Sequence, residues 1–128
     1  EQPLTRGKDQ ELAGFASPIP LGADESALNL SEYQHAADRY QVVNIKLDKC
    51  GGLTEALEIA SIATDEGKSL MVGNMTGTSL SMAPAYVIGQ FCDFVDIDGP
   101  LFLAADIDPG LDYLEAGKVS IPTPEIWG

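Results

Sequence analysis

Basic residues are scarce in this chain. Its 128 residues hold 7 Lys plus Arg against 20 Asp plus Glu, a formal net charge of −13. Such a surface repels polyanions, which argues against nucleic acid or an anionic membrane face as a partner. Cysteine is nearly absent. Cys50 and Cys92 are too few and too far apart for a disulfide framework or a zinc site, and they read as small buried hydrophobes. That usage fits a reducing cytoplasm. The single histidine, His35, falls in a helical pattern among polar residues, so no Ser/His/Asp set can be assembled. No apolar run nears the roughly 20 residues needed to span a bilayer, and no basic-then-apolar leader is read at the start. Gly73-Asn74-Met75-Thr76-Gly77-Thr78 has glycines spaced loosely like a phosphate loop, but no lysine follows Gly77, so that reading fails.

What is present is 45% hydrophobic residues, enough for a real core, laid out in alternating patterns. Apolar runs at 19–23, 42–47, 69–72 and 94–97 predict buried strands. Between the second and third, Leu53, Ala56, Leu57, Ala60 and Ala63 recur at helical spacing, widened by Ile59 and Ile62, and Gly67 is placed to end that helix. Asn29 followed by Glu32 forms a capping-box signature before Tyr33, Ala36 and Ala37. Leu80, Ala83, Val87 and Phe91 suggest another helix, with Pro84 expected in its first turn. Alternating strands and helices imply an α/β fold with a parallel sheet.

Polar residues end each predicted strand: Asp24, Lys46, Asn74 and Asp96, with Glu1 fitting the end of a preceding strand. Their separations are 23, 22, 28 and 22 residues. A near-constant period with chemistry-bearing residues at strand C-termini is what a (β/α)8 barrel produces, and a doubly wound open sheet shares the same grammar. A complete barrel takes about 250 residues, so this chain accounts for about half of one, and Glu1-Gln2-Pro3 reads as the middle of a longer sequence. Residues 1–98 are expected to form the partial barrel. Residues 99–128 are expected to be an extended C-terminal tail, with turns at Asp108-Pro109-Gly110 (type II) and Glu115-Ala116-Gly117-Lys118, packed on the barrel or on a further domain.

Strand alternation puts Asn44 and Lys46 on one face, opposite Val43, Ile45 and Leu47. Lys46 then either points into the barrel mouth, where burial among charges would tune it as a base, or reaches out to solvent at the strand end. Lys49, three residues on, falls on the other face. Asp96 and Asp98 share a face at the end of the fourth run; two neighbouring carboxylates repel unless a cation sits between them, so they mark an ammonium or metal site or else a solvated loop. Asp106-Ile107-Asp108 reads as a solvated loop. Glu1 and Asp24, at the ends of strands about 4.8 Å apart, could share one divalent ion such as magnesium, which needs further ligands or waters. Glu25 should face away from that pair.

Taken in order, Glu1-Gln2-Pro3, Ala23-Asp24-Glu25-Ser26, Asn44-Ile45-Lys46-Leu47-Asp48-Lys49-Cys50-Gly51-Gly52 and Asp96-Ile97-Asp98-Gly99-Pro100 resemble the C-terminal half of enolase-superfamily enzymes of the muconate-lactonizing subgroup. Within it the chain is most similar to the dipeptide epimerases, typified by L-Ala-D/L-Glu epimerases. The resemblance implies strands four to eight of the barrel, with Glu1 and Asp24 as two of three magnesium-binding carboxylates and Lys46 as one of two catalytic lysines flanking the substrate α-carbon. It further implies that Asp96 and Asp98 hold the ammonium of a dipeptide, and that Asn74, Met75 and Thr76 shape the side-chain pocket, so Asn74 and Thr76 join the substrate-binding set. The implied reaction is removal and return of an α-proton beside a carboxylate, with a lysine base and bivalent metal stabilising the enediolate.

The family's capping domain, its second lysine and its third metal-binding carboxylate have no counterpart among these residues, so residues 1–128 alone are expected to be inactive. The 74–78 loop and the ending Glu125-Ile126-Trp127-Gly128 are closer to an N-acetyl-glutamate racemase, which leaves a dipeptide or an N-acyl amino acid as the small-molecule partner. An o-succinylbenzoate synthase or cycloisomerase, and a non-catalytic half-gene product, are the other readings. A homo-oligomer is compatible with all of them.

Overall fold

The computed structural model describes all 128 residues. Its centre is a four-stranded parallel sheet of β1 (Gly22–Ala23), β2 (Val42–Lys46), β3 (Ser69–Gly73) and β4 (Phe94–Val95), in the spatial order 1-2-3-4. Between them run α1 (Leu30–Ala36), the single turn α2 (Leu47–Cys50), α3 (Leu53–Asp65) and α4 (Ser79–Gly89). Strictly sequential parallel order is the barrel pattern; a doubly wound sheet reverses strand order at a switch point. These strands therefore form part of a (β/α)8 barrel rather than an open doubly wound sheet.

The two faces of the sheet differ as the alternation requires. Val43, Ile45, Leu70 and Val72 join Ile59, Ala60, Met82 and Ile88 in one continuous core between sheet and helices. Burying each of the larger aliphatic side chains stabilises the fold by roughly 1.5–3 kcal/mol. On the opposite face, Val42, Asn44, Met71 and Phe94 line a cavity of about 260 Å³ together with Glu1, Pro20 and Gly22. Lys46 and Gly73 are register partners at the top of this face.

Local signals explain most boundaries. Asn29 accepts a hydrogen bond from the Glu32 amide (3.0 Å) and so caps α1, while the Glu32 carboxylate reaches one residue further back, to the Leu28 amide (3.2 Å). Gly67, with φ of 73°, ends α3 in a Schellman arrangement: the Lys68 amide donates to Ala63 and the Gly67 amide to Thr64. Leu57, expected on the buried stripe of α3, is exposed, and Ile59 takes the core position instead. Pro84 lies in the interior of α4 rather than in its first turn, and the packing of Met82, Ala83, Ala85 and Ile88 offsets its missing hydrogen bond.

The outer strands are shorter than their apolar runs predicted. Residues 19–21 lie outside β1 and residues 96–97 outside β4, because each of these strands has a partner on one side only. No strand forms at Glu1, which runs beside β1 with its Cα 3.8 Å from where a Cβ on Gly22 would stand. The segment after residue 98 runs mostly without regular structure and includes the hairpin β5 (Tyr113–Leu114) and β6 (Lys118–Val119). The type II turn at 108–110 does not form: Gly110 lacks a positive φ, and the Asp108–Pro109 peptide is cis. Leu111 and Ile126 are buried, and the Tyr113 hydroxyl donates to the Ile97 carbonyl at 2.6 Å. Asp106 is an exposed loop residue, as expected, but it also has a structural part. It accepts from both the amide and the hydroxyl of the fully buried Ser79, and thereby caps α4 from 27 residues away. No helix is long and apolar enough to cross a membrane.

Candidate active site

Asp24 follows β1 and is almost fully buried, at 2% exposure. An isolated carboxylate there would be costly, and the structure answers with two cations. The Lys46 ammonium donates to Asp24 Oδ2 at 2.7 Å, and the Lys49 ammonium donates to Oδ1 at 2.9 Å. Burial pushes the Asp24 pKa upward, but the hydrogen bonds and charges of Lys46 and Lys49 outweigh it and hold the group below the usual carboxylate range.

The placement of Lys49 corrects the sequence expectation. Strand alternation put it on the far face, yet the chain leaves β2 at Lys46 and enters a helical turn, where a three-residue step returns to the same side. Glu25, expected to face away, is exposed but lies 3.8 Å from the same Lys49 ammonium.

Gln2 is a part of the site that sequence reasoning missed. Its Oε1 accepts from the amides of Asp24 and Ser26, both at 3.0 Å, while its Nε2 donates to the Ser26 hydroxyl at 3.1 Å and the Leu4 carbonyl at 2.8 Å. One side chain therefore fixes the backbone that presents Asp24. Its place in Glu1-Gln2-Pro3 belongs to the resemblance, but a glutamine outside any periodic pattern gives no sign of which backbone it holds.

Asp96 and Asp98 follow β4. Burial raises the Asp96 pKa first, the charge of Asp98 and a hydrogen bond shared with it raise it further, and Lys46 opposes them. The two carboxyls thus crowd each other at the end of the sheet that carries Lys46, with Glu1 also within electrostatic reach. Asn74 donates its Nδ2 to the Asp96 carbonyl at 2.7 Å, tying the loop after β3 to the acidic pair. Met75 is held by its amide donating to Asp48 at 3.2 Å, and Thr76 is exposed without a hydrogen-bond partner. Gly99 lets this loop close down: a Cβ there would collide with Asn74 Oδ1 and stand 3.0 Å from the Met75 carbonyl.

As metal ligands, Glu1 and Asp24 fit a hard divalent cation in type but not in number. No group of three or more His, Cys, Asp or Glu side chains converges here. Each Asp24 oxygen accepts one ammonium hydrogen bond and keeps a lone pair for a cation, and Glu1 is exposed beside the same strand. They can supply two ligands, with the remainder coming from water or from residues beyond this chain.

The lowered Asp24 pKa gives a signed pH dependence. Its contribution to stability is complete above the unfolded value near 4 and is lost as pH falls through the lower folded value. Asp9 and Asp106 are shifted the same way and steepen the loss. In chelator-treated protein we expect Tm to drop sharply below about pH 4. In Asp24→Asn the acid limb should be shallower, from a lower starting Tm, because two ammonium groups have lost their counter-charge. An acid limb unchanged by Asp24→Asn would contradict this assignment.

The family model described as enolase C-terminal domain-like matches residues 1–125. An N-acetyl-D-glutamate racemase from Pseudoalteromonas sp is 46% identical over 128 residues, covering 100% of this chain and 40% of the relative. The L-Ala-D/L-Glu epimerase of Escherichia coli (strain K12) is 45% identical over 113 residues, covering 88% of this chain and 35% of the relative. A crystal structure of an enolase family member from Agrobacterium tumefaciens, with homology to dipeptide epimerases and with sodium and L-Ala-L-Glu bound, is 50% identical. It superposes with a TM-score of 0.93 over 98% of this chain and 38% of that one. This chain thus spans two fifths or less of the length of these relatives. With the family model matched almost from end to end and the chain superposing on a solved enolase family member, the chain belongs to the enolase C-terminal domain-like family.

Proposed function

We propose that this chain is the C-terminal barrel half of a magnesium-dependent epimerase or racemase that removes and returns the α-proton of a carboxylate substrate, most readily a dipeptide such as L-Ala-D/L-Glu. The observation that carries the reading is the crowding of Asp96 against Asp98 at the end of the sheet that presents Lys46. Two carboxylates in contact call for a cation, and a substrate ammonium supplies one while setting the α-carbon at a fixed distance from the lysine.

In this reading Lys46, as the neutral amine, takes the α-proton at Nζ, and the C–H electron pair passes into the substrate carboxylate as an enediolate. Asp24, itself held by Lys49, keeps the Lys46 ammonium in place before the side chain swings to the substrate. A second base on the opposite face, from outside these residues, delivers a proton and inverts the centre. Magnesium, held by Glu1 and Asp24, would supply positive charge beside the substrate carboxylate. Asn74 positions Asp96, and Thr76 is free to meet the substrate side chain.

A second reading, racemisation of an N-acyl amino acid such as N-acetyl-glutamate, is favoured by the identity to the Pseudoalteromonas racemase along the whole chain. The complete enzyme should be assayed with L-Ala-L-Glu and with N-acetyl-D-glutamate, before and after chelation. Epimerisation of the dipeptide at the higher kcat/KM, lost with chelator and restored by magnesium, is the expected result. Turnover of the N-acyl substrate alone would replace the first reading with the second, and turnover of neither would overturn both.

A further inference from the structure

Gly73 ends β3 in register with Lys46, in a strand backbone whose φ is open to any residue. A Cβ placed there would stand 2.9 Å from Lys46 Cε, 2.7 Å from Asn44 Oδ1 and 3.1 Å from Asn44 Nδ2. The Lys46 stem therefore crosses the sheet through the space that any side chain at 73 would fill. The two crowded groups differ in their freedom to yield. Asn44 is 95% buried by its 5% exposure, its Oδ1 has no hydrogen-bond partner, and it borders the 260 Å³ cavity of the inner face, so nothing but packing holds its amide. Lys46 is tethered at both ends, by β2 at its backbone and by Asp24 at its ammonium.

We propose that Gly73 is a positioning residue for Lys46: the missing side chain leaves the space in which the lysine stem lies as it reaches Asp24, and from which it turns to the reacting centre. The inference rests on the reading of Lys46 as a base. Alanine at 73 displaces the lysine stem by a large fraction of an ångström while the fold adapts, because the atoms that must yield are side-chain ends and not backbone. A misplacement of about 1 Å at a reacting group costs on the order of 10²-fold in rate.

The test compares Gly73→Ala and Lys46→Ala with wild type in the complete enzyme. It measures Tm, epimerisation kcat and KM, and α-proton exchange into D2O from each enantiomer of the C-terminal residue separately. For Gly73→Ala we expect a Tm within about 4 °C of wild type, kcat down by about 10²-fold with KM little changed, and slowed exchange only for the enantiomer whose exchange Lys46→Ala also abolishes. Equal slowing for both enantiomers, a larger loss of Tm or a wild-type rate would each overturn the inference. If Lys46→Ala kept exchange of both enantiomers, the base assignment would fall and this inference with it. Wild-type behaviour of Gly73→Ala beside a one-sided loss in Lys46→Ala would overturn the inference alone.

Discussion

Lys46→Ala in the complete enzyme should reduce epimerisation by at least about 10³-fold. A positioned general base contributes typically 10²–10⁴-fold, and inversion through an enediolate fails altogether if one of its two proton carriers is missing. The fold should survive. Lys46 sits at the last position of β2, its neighbours Val43 and Ile45 carry the core contacts, and Asp24 keeps Lys49 as a counter-charge. We therefore expect a far-UV spectrum like that of wild type and a modest drop in Tm, against a rate loss too large for a packing effect. A variant that epimerises at close to the wild-type rate would make Lys46 a structural partner of Asp24 and nothing more.

Asp96→Asn should separate the two substrate classes. If the substrate is a dipeptide, its ammonium is desolvated between Asp96 and Asp98. Truncating one partner of such a charge pair costs about 2–5 kcal/mol, or roughly 30-fold to several-thousand-fold in kcat/KM. N-acyl substrates, which bring no ammonium, should gain relative to the dipeptide. Without substrate the effect on the protein should have the opposite sign. Burial and the neighbouring Asp98 raise the Asp96 pKa, so its ionised form is disfavoured in the folded state, and a neutral amide should raise Tm at pH 7. A rise in Tm paired with a loss of dipeptide turnover is the signature of a site that trades stability for recognition. An unchanged dipeptide rate would remove the ammonium-binding role from the pair.

The sequence carried the interior of this fold better than its edges. β2, β3 and α3 were legible because each carries an apolar run or stripe that the core buries, and because Asn29 and Gly67 punctuate α1 and α3 with side-chain and backbone chemistry that acts within a few residues. β1 and β4 came out short because pairing on one side, a property of the whole sheet, decides how far a strand extends. At the site, residues that end strands could be picked out by spacing, and Lys46, Asp24, Asp96 and Asp98 do stand at one end of the sheet. Lys49 departs from the strand pattern because the period changes from two to that of a helix where α2 begins. Gln2, Gly73 and Asp106 act across 22, 27 and 27 residues of sequence, on Asp24, Lys46 and Ser79, through contacts that only the folded chain creates.

Whether Lys46 moves a proton on one face of an α-carbon is decided by stereochemically resolved hydrogen exchange. Lys46→Ala should be incubated in D2O with L-Ala-L-Glu and, separately, with L-Ala-D-Glu, and the α-proton signal of the glutamate followed by NMR. One isomer should exchange through the opposite base while the other keeps its proton and neither is converted. Exchange of both isomers at wild-type rates would contradict it.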